Sequence, residues 1–308
     1  MDTVKPLEDD IARLGRLTVE NKRDLPTRME LARLVGEKVV GLTPLTFAAV
    51  GRPKVFDLFM YNGERTVLDI RLHEMNDWVD HFVVIESGTT FTRLPKRYYF
   101  AEIADELGPY RDKIIHLVVD DPPAYLTSPW AVEFWQRDSA LRALSGLCSP
   151  DDFVLLTDVD EIVDRRAFES LSGDLAGLTM DTYFLFLNRR QVVAPNKQGK
   201  RGAICRAHLL ARHGMSYIRF VLSRGVGIQR IRDAGWHFTS VAAAAEVERK
   251  IQSYAHQELN DGSRNEAYFE RKRRTALANA DPEWERCALD ELPRYIRDNA
   301  NLLRDFLM

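Results

Sequence analysis

The stretch FVLLTDVDEIVD, residues 153–164, joins an apolar strand to a cluster of acidic residues. Asp158, Asp160 and Glu161 follow directly on the apolar run, and Asp164 lies a little further on. Carboxylates this close together repel one another unless a positive charge neutralises them. The stretch therefore predicts a buried strand whose carboxyl end faces a cation.

The spacing of Asp158 and Asp160 suits a shared divalent cation. In an extended chain both side chains point to the same side, with Cα atoms roughly 6–7 Å apart. Carboxylate ligands with retained waters favour Mg²⁺ or Mn²⁺ over Zn²⁺, and such sites also bind substrate phosphates. The pair is thus predicted to hold Mn²⁺ or Mg²⁺ together with a diphosphate. The competing interpretation is that acids after a strand cap the next helix, a role that Glu161 and Asp164 also fit.

The residues around this stretch predict an α/β fold. Apolar runs alternate with segments of helical length, which is typical of a mostly parallel sheet flanked by helices. The four runs span 54–61, 81–87, 113–121 and 152–160. Later strand-like runs lack clear helices between them and predict an antiparallel or mixed half of the sheet. These runs span 182–188, 203–211 and 217–223, and a helical stretch of about 242–260 follows.

Acidic residues end three of the four early runs, namely Glu86, Asp120 and Asp158. In open parallel sheets, ligands bind beyond the carboxyl ends of the strands, so these acids are predicted to share one ligand-binding edge. Neither GxGxxG nor GxxxxGK[ST] occurs in the chain, which argues against dinucleotide-binding and P-loop proteins.

Residues 1–50 are predicted to form a helical extension, and residues 51–308 the main domain. Amphipathic patterns indicate helices over 5–21 and 26–41, with Asp24 as the N-cap of the second. The extension carries no chemical cluster and is expected to pack on a neighbour or a second subunit. A homo-oligomer through these helices is one expectation.

The overall composition excludes several classes of protein. The chain has 308 residues, a formal net charge of −3 and three well-separated cysteines. It lacks the basic surface of nucleic-acid-binding proteins, and its cysteines do not form a disulfide framework. No signal peptide is apparent, and no run approaches the roughly 20 apolar residues of a membrane-spanning helix. A cytoplasmic protein is expected, with attachment to a membrane surface left open.

His237, in the sequence GWHF, is the candidate for a third metal ligand. Imidazole suits Mn²⁺, and the motif lies between the strand-rich half and a long helix. The alternative is a partly buried structural histidine, the role expected for His208 and His256. Trp236 fits the core as well as it fits a platform for a sugar.

Several segments in order resemble glycosyltransferase family 17. They cover most of residues 54–260 and include 56–87, 94–100, 113–121, 130–141, 151–162, 234–240 and 250–258. The resemblance implies a GT-A-like nucleotide-sugar fold. It also implies inverting, cation-dependent transfer of a sugar, most typically N-acetylglucosamine from UDP-GlcNAc, to a glycan or another hydroxyl acceptor. Lipid-linked and small-molecule acceptors are the expected ones for a chain without a membrane anchor.

The resemblance also implies roles for particular residues. Asp158 and Asp160 become a DxD pair for metal and diphosphate, and His237 matches the GWHF histidine. Glu86 falls where the nucleoside is contacted. The QRD element at 136–138 is expected to face the donor through Gln136, Arg137 and Asp138, with Asp120 nearby.

The acceptor hydroxyl needs a carboxylate as general base. Glu161, Asp233 and Glu246 are all candidates by position, and Glu246 is preferred because it follows the GWHF turn.

Two other function classes remain open. A sugar-phosphate nucleotidyltransferase uses similar acids but carries a glycine-rich basic loop, of which 54–65 is a poor example. A non-catalytic carbohydrate-binding protein explains the aromatic residues but not the acids at the strand ends. A metal-dependent phosphohydrolase is disfavoured because the HxH and GNH signatures are missing.

Overall fold

The computed structural model describes residues 6–21, 24–193, 198–278 and 281–308. In this part of the chain, eleven strands form one mixed sheet. The strands are β1 (Val55–Met60), β2 (His81–Glu86), β3 (Ile114–Val118), β4 (Phe153–Leu156), β5 (Glu161–Val163), β6 (Leu175–Phe184), β7 (Arg189–Gln191), β8 (Gly199–Arg206), β9 (Gln229–Ile231), β10 (Gly235–Thr239) and β11 (Trp284–Arg286).

The first four strands form the parallel part of the sheet, in the order β3-β2-β1-β4. β8 then pairs antiparallel with β4, and β6 pairs antiparallel with β8. β10 pairs parallel with β6 and antiparallel with β5, which joins the GWHF segment to the end of the acidic stretch. The predicted α/β class, with a parallel half followed by a mixed half, is confirmed.

The helices are α1 (Leu7–Glu20), α2 (Leu25–Leu42), α3 (Arg65–Met75), α4 (Tyr99–Ile103), α5 (Pro129–Asp138), α6 (Leu141–Leu144), α7 (Arg165–Glu169), α8 (Met215–Phe220), α9 (Ala244–Ser253), α10 (Glu266–Leu277) and α11 (Arg294–Asp298). The N-cap predicted at Asp24 is confirmed, since its side chain accepts a hydrogen bond from the backbone N–H of Thr27 at 3.3 Å.

The strand predicted at 217–223 is wrong, because this segment contains most of α8 and a 3₁₀ turn. Met215 and Ile218, one helical turn apart, are both fully buried. A short apolar run of this length fits both the helical period of about 3.6 residues and the strand period of two. The sequence pattern alone therefore does not separate a buried helix from a strand. The helix predicted over 242–260 is shorter than expected and ends at Ser253.

The sheet separates two apolar layers because successive side chains of a strand point to opposite faces. From β1, Val55 and Phe59 join one layer, which also contains α3 and α11. Phe56 and Leu58 join the other layer, which contains residues of α1, α2, α5 and α8. The predicted N-terminal extension therefore belongs to the layer on this face of the sheet, where α2 packs against α5 and α8.

The approach of α2 to α8 is close enough to require glycine. A Cβ built on Gly36 would lie 2.8 Å from the Cα of Gly214 and 3.3 Å from a carboxylate oxygen of Asp138. The backbone of α8 stands in the way, so the clash cannot be relieved by a side-chain rotation. Gly41, in the same helix, has no atom within 4 Å of its Cβ position.

Gly36→Ala is expected to destabilise the protein by about 1–3 kcal/mol, because it overpacks this contact. Gly41→Ala, the matched control, is expected to be neutral or stabilising by up to about 1 kcal/mol, since alanine favours a helix. Urea denaturation of both variants measures the difference. Equal stabilities of the two variants would contradict the packing of α2 on α8.

Candidate active site

A cavity of about 350 Å³ opens beyond the carboxyl ends of β1, β2 and β4. Its lining is strongly charged. The acids are Glu64, Glu133, Asp158, Asp160 and Glu161, and the basic residues are Lys96, Arg137, Lys200, Arg201, Arg219, Arg224 and Lys250. Aromatic and histidine rings complete the wall, among them Phe91, Trp130, Phe220, His237, Tyr254 and His256.

Asp158 is held by two arginines. Arg219 forms a two-pronged pair with its carboxylate, including an Nη2–Oδ2 hydrogen bond of 2.7 Å, and Arg137 donates to Oδ1 at 3.1 Å. Although the cavity walls desolvate it, these guanidinium groups keep the pKa of Asp158 well below its ordinary value. Its side chain is still 44% exposed, so it remains accessible from the cavity.

Asp160 lies deeper and pairs with different cations. Its side chain is 8% exposed, Lys250 donates to Oδ2 at 2.9 Å, and Nε2 of His237 lies 3.7 Å from Oδ1. Burial opposes its charge, but Lys250 and His237 lower the pKa of Asp160 overall. Burial also lowers the pKa of His237 to about 4, so this imidazole is neutral near pH 7.

Glu161 follows the two aspartates and is the first residue of β5. Its carboxylate accepts the backbone N–H of Asp158 at 2.9 Å and a hydrogen bond from Nη2 of Arg219 at 2.8 Å. The residue is nearly fully buried, and that burial raises the pKa of Glu161 to about 7. Across the β5–β10 pair, Glu161 lies opposite His237.

Arg71 of α3 forms hydrogen bonds with the backbone of the acidic turn, residues 158–161. Its guanidinium is fully buried, pairs with Asp57 of β1 and donates to the carbonyls of Asp158 at 2.8 Å and Glu161 at 2.9 Å. It also donates to the hydroxyl of Thr157. The carbonyl oxygens of the acidic turn thus point inward to one arginine.

The predicted metal donors do not form a ready metal site in this arrangement. Both oxygens of Asp158 accept hydrogen bonds from arginines, and one oxygen of Asp160 accepts from Lys250. Over the described ranges, no three histidine, cysteine, aspartate or glutamate side chains converge as metal ligands. A cation between these carboxylates requires Arg219 to release Asp158.

The QRD element divides between the cavity and the protein interior. Gln136 and Arg137 line the cavity, as expected of residues that face a donor. Asp138 points away into the contact of α5 with α8, where it accepts the backbone N–H of Ser216 at 2.7 Å. It is fully buried, and this raises the pKa of Asp138 to about 7.

The other two strand-end acids are not among the residues that line the cavity. Glu86 accepts the backbone N–H groups of Phe100 and Ala101 at the start of α4, at 2.8 and 3.3 Å. Asp120 accepts the backbone N–H of Gly88 at 2.6 Å. Both side chains fix loops near the edge of the sheet.

The remaining candidates lie in different places. Glu246 is exposed in the first turn of α9 and lines a small neighbouring pocket that shares Asp160 with the main cavity. Asp233 accepts a hydrogen bond from Gln198 at 2.6 Å, and the Nε1 of Trp236 donates to the carbonyl of Glu291 at 3.2 Å. Asp164 caps α7, one of its two predicted roles.

His256 was expected to be structural, yet it lines the cavity. Its Nδ1 lies 2.6 Å from Glu258, and its ring meets Trp130 edge to face at a centroid distance of 4.6 Å. His208 pairs with Asp174 at 3.6 Å and is not among the lining residues.

The residues that sequence reasoning missed are mainly basic. Arg71, Arg219 and Lys250 each bind part of the acidic turn, but each is an isolated basic residue within an apolar or amphipathic segment. The repulsion among the acids predicted a positive charge at this point. It did not indicate which arginine or lysine supplies that charge, because the partners come from distant segments.

Arg71→Lys is expected to lower the free energy of unfolding by about 2 kcal/mol or more, because one ammonium group cannot satisfy the buried acceptors that Arg71 binds. Arg65→Lys, in the same helix, is the matched control. Arg65 is 40% exposed and pairs with Asp69 and Glu106 at the surface, so the change there is expected to stay below about 1 kcal/mol. Urea denaturation compares the two, and equal effects would contradict the supporting role of Arg71.

The described residues include no helix long and apolar enough to cross a membrane.

A solved mannosyltransferase of Pyrobaculum calidifontis, in complex with GDP-Man and Mn²⁺, aligns with 89% of this chain and 82% of its own. The TM-score is 0.38 and the sequence identity is 13%.

Sequence comparisons give closer relatives. The chain is 32% identical over 123 residues to the beta-1,4-mannosyl-glycoprotein 4-beta-N-acetylglucosaminyltransferases of Homo sapiens and Rattus norvegicus. Each alignment covers 36% of this chain and 22% of the relative, so the chain spans about a fifth of the length of the curated relatives it matches. The model of glycosyltransferase family 17 matches residues 39–193, which is half of the chain. The chain therefore belongs to glycosyltransferase family 17.

Proposed function

We propose that this protein is a glycosyltransferase that binds a nucleotide-sugar donor in the cavity around Asp158 and transfers the sugar to an acceptor hydroxyl. The observation that carries the proposal is the position of this charged cavity, beyond the carboxyl ends of β1, β2 and β4. Family membership and the names of the relatives favour UDP-GlcNAc as the donor. A glycan, a lipid-linked sugar or a small molecule is the proposed acceptor.

The charges of the cavity suit a diphosphate. Seven lysine and arginine residues line it, against five acidic residues. Charge-assisted hydrogen bonds from guanidinium groups are among the strongest that phosphate oxygens accept. An excess of positive charge in a partly enclosed cavity therefore favours an anionic ligand over a neutral glycan alone.

The rings at the other part of the lining suit a nucleobase. Trp130, Tyr254 and His256 contact one another through His256, with centroid distances of 4.6 and 5.8 Å. Phe91 also lines the cavity, and its backbone N–H donates to the carbonyl of Ser253, the residue before Tyr254, at 3.2 Å. Aromatic side chains stack on any base, which provides a surface for the uracil beside the basic part of the cavity.

The proposed chemistry is a single displacement with inversion. The acceptor oxygen attacks the anomeric carbon as the bond from that carbon to the diphosphate oxygen breaks. Preorganised positive charge stabilises the leaving diphosphate, and a carboxylate accepts the hydroxyl proton. Glu161 and Glu246 are both retained as candidates for the base, and Glu161 is favoured because its side chain lines the main cavity.

The divalent cation predicted from the sequence remains a prediction. Mn²⁺ or Mg²⁺ does not fit the carboxylates as they are paired here, so no step above depends on one. Asp158, Asp160 and His237 stay the predicted ligands for a cation that displaces Arg219.

UDP and UDP-GlcNAc are expected to raise the stability of the protein, by about 2.7 kcal/mol at a hundredfold excess over Kd. GDP- and dTDP-sugars serve as controls for recognition of the nucleobase, and calorimetry measures the affinities. Release of UDP upon addition of candidate acceptors then reports transfer. Absence of binding by every nucleotide sugar would overturn the proposed function.

The same assays in EDTA, Mg²⁺ and Mn²⁺ test the cation. The sequence prediction requires that transfer is lost in EDTA and restored by Mn²⁺. Full activity in EDTA would instead assign neutralisation of the diphosphate to the basic side chains alone.

Glu161→Gln is expected to lower kcat by about a hundredfold or more, since general-base catalysis contributes about 10²–10⁴. Glutamine keeps an oxygen that accepts from the backbone of Asp158, so the affinity for UDP is expected to change by less than about threefold. Glu246→Gln is the matched variant, with an expected loss below about tenfold. The reverse order of the two losses would identify Glu246 as the base.

A further inference from the structure

Three basic residues of the cavity form no ion pair within the part of the chain that the structure describes. Arg137, Arg219 and Lys250 form salt bridges with the acids of the site. Lys200, Arg201 and Arg224 line the same cavity and form no salt bridge with any residue that the structure describes. Their charges are therefore not needed to hold the acidic turn.

These three residues lie next to the acidic turn. Lys200 and Arg201 are near the start of β8, which runs antiparallel to β4 and so begins beyond the carboxyl end of that strand. Gly202 touches Thr157, since a Cβ on this glycine would lie 2.3 Å from the Thr157 methyl carbon. The basic pair is thus adjacent in space to the residue that precedes Asp158.

Arg224 reaches the same region from the 3₁₀ turn Leu222–Arg224, which follows α8. The guanidinium carbons of Arg137, Arg219 and Arg224 lie 5.4, 5.3 and 5.6 Å from the centre of the Phe220 ring. Burial lowers the pKa of Arg224, the charges of Arg219 and Arg201 lower it further, and the Glu161 carboxylate opposes this shift in part. The arginines therefore converge closely enough for their charges to interact.

Several N–H donors of this group are buried without an acceptor. Among the described residues, Nε of Arg201, Nε of Arg219, Nε of Arg224 and Nη1 of Arg137 have no hydrogen-bond partner. Arg137 and Arg219 are almost wholly buried. Like charges with unsatisfied donors in a desolvated cavity are unfavourable until an anion binds among them. Planar guanidinium groups match the oxygens of a phosphate.

We propose that Arg201 and Arg224, with Lys200 at the mouth of the cavity, bind the terminal phosphate of the donor diphosphate and stabilise it as it leaves. This inference rests on the proposed function. As the acceptor oxygen bonds to the anomeric carbon, the electron pair of the breaking bond passes to the diphosphate oxygen, and the acceptor proton passes to the base. The unpaired guanidinium groups neutralise the charge that develops on that oxygen.

The donor phosphate is favoured over an anionic group on the acceptor because Arg224 shares the Phe220 ring with Arg137 and Arg219, the two arginines paired with Asp158. The set paired with Asp158 and the unpaired set form one basic surface, and a diphosphate is long enough to contact both. An isolated acceptor phosphate would leave the Asp158 side of this surface without a ligand.

The test compares the affinities of UDP and UMP by calorimetry, in EDTA and in Mn²⁺. UDP carries the terminal phosphate and UMP lacks it. Arg201→Ala and Arg224→Ala are each expected to lower the affinity for UDP by about tenfold or more, because a charge-assisted bond to the terminal phosphate is lost. The affinity for UMP is expected to fall by less than about threefold. Arg224→Lys is expected to recover part of the UDP affinity, since lysine keeps the positive charge but lacks the planar guanidinium group that donates two parallel hydrogen bonds.

Arg230→Ala is the matched control, an exposed arginine on β9 outside the cavity lining, and is expected to bind both nucleotides as the wild type does. Equal losses of UDP and UMP affinity would overturn the proposal in favour of a structural role. Unchanged affinity for both, with transfer reduced only for phosphate- or carboxylate-bearing acceptors, would overturn it in favour of an acceptor site. Failure of the wild-type protein to bind either nucleotide would instead overturn the proposed function.

Discussion

The buried pair of Arg71 and Asp57 is the interaction on which the arrangement of the site depends. One guanidinium joins β1, α3 and the turn that follows β4, and it uses the backbone carbonyls of that turn as acceptors. Because the carbonyls point inward, the side chains of Asp158 and Asp160 are directed toward the cavity. The acids are thus positioned by a residue that does not itself line the cavity.

Basic side chains neutralise the carboxylates of these acids, whereas Arg71 binds the backbone carbonyls of the same turn. Arg219 comes from α8, Arg137 from α5 and Lys250 from α9, so three separate helices contribute to one cluster. Buried carboxylates without such partners would be costly, which couples the packing of these helices to the charge state of the turn. The stability of the fold and the charge of the proposed donor site therefore depend on the same electrostatic balance.

Sequence patterns predicted the parallel half of the sheet well, because strands that are apolar throughout and separated by helical segments have few other solutions. They placed the acidic turn at the correct edge for the same reason. They failed at 217–223, where a short apolar run fits a helix as well as a strand. The donor-binding roles predicted for Glu86, Asp120 and Asp138 stay predictions, and the cavity lining does not include these side chains. Which strand-end acid reaches a ligand depends on side-chain direction and on distant partners, and neither is encoded locally.

The contact between Gly36 and Gly214 links α2 to the start of α8, the helix that supplies Arg219. The helices α1 and α2 cover the face of the sheet on which α5 and α8 rest, yet most of their length precedes residue 39, where the family match begins. The arginines that meet Asp158 stand on those two covered helices. α8 itself lies after residue 193, where the family match ends, so the matched segment contains Arg137 but not Arg219. A change in α2 is therefore expected to shift the arginines beside Asp158, although neither α1 nor α2 contributes a residue to the cavity lining.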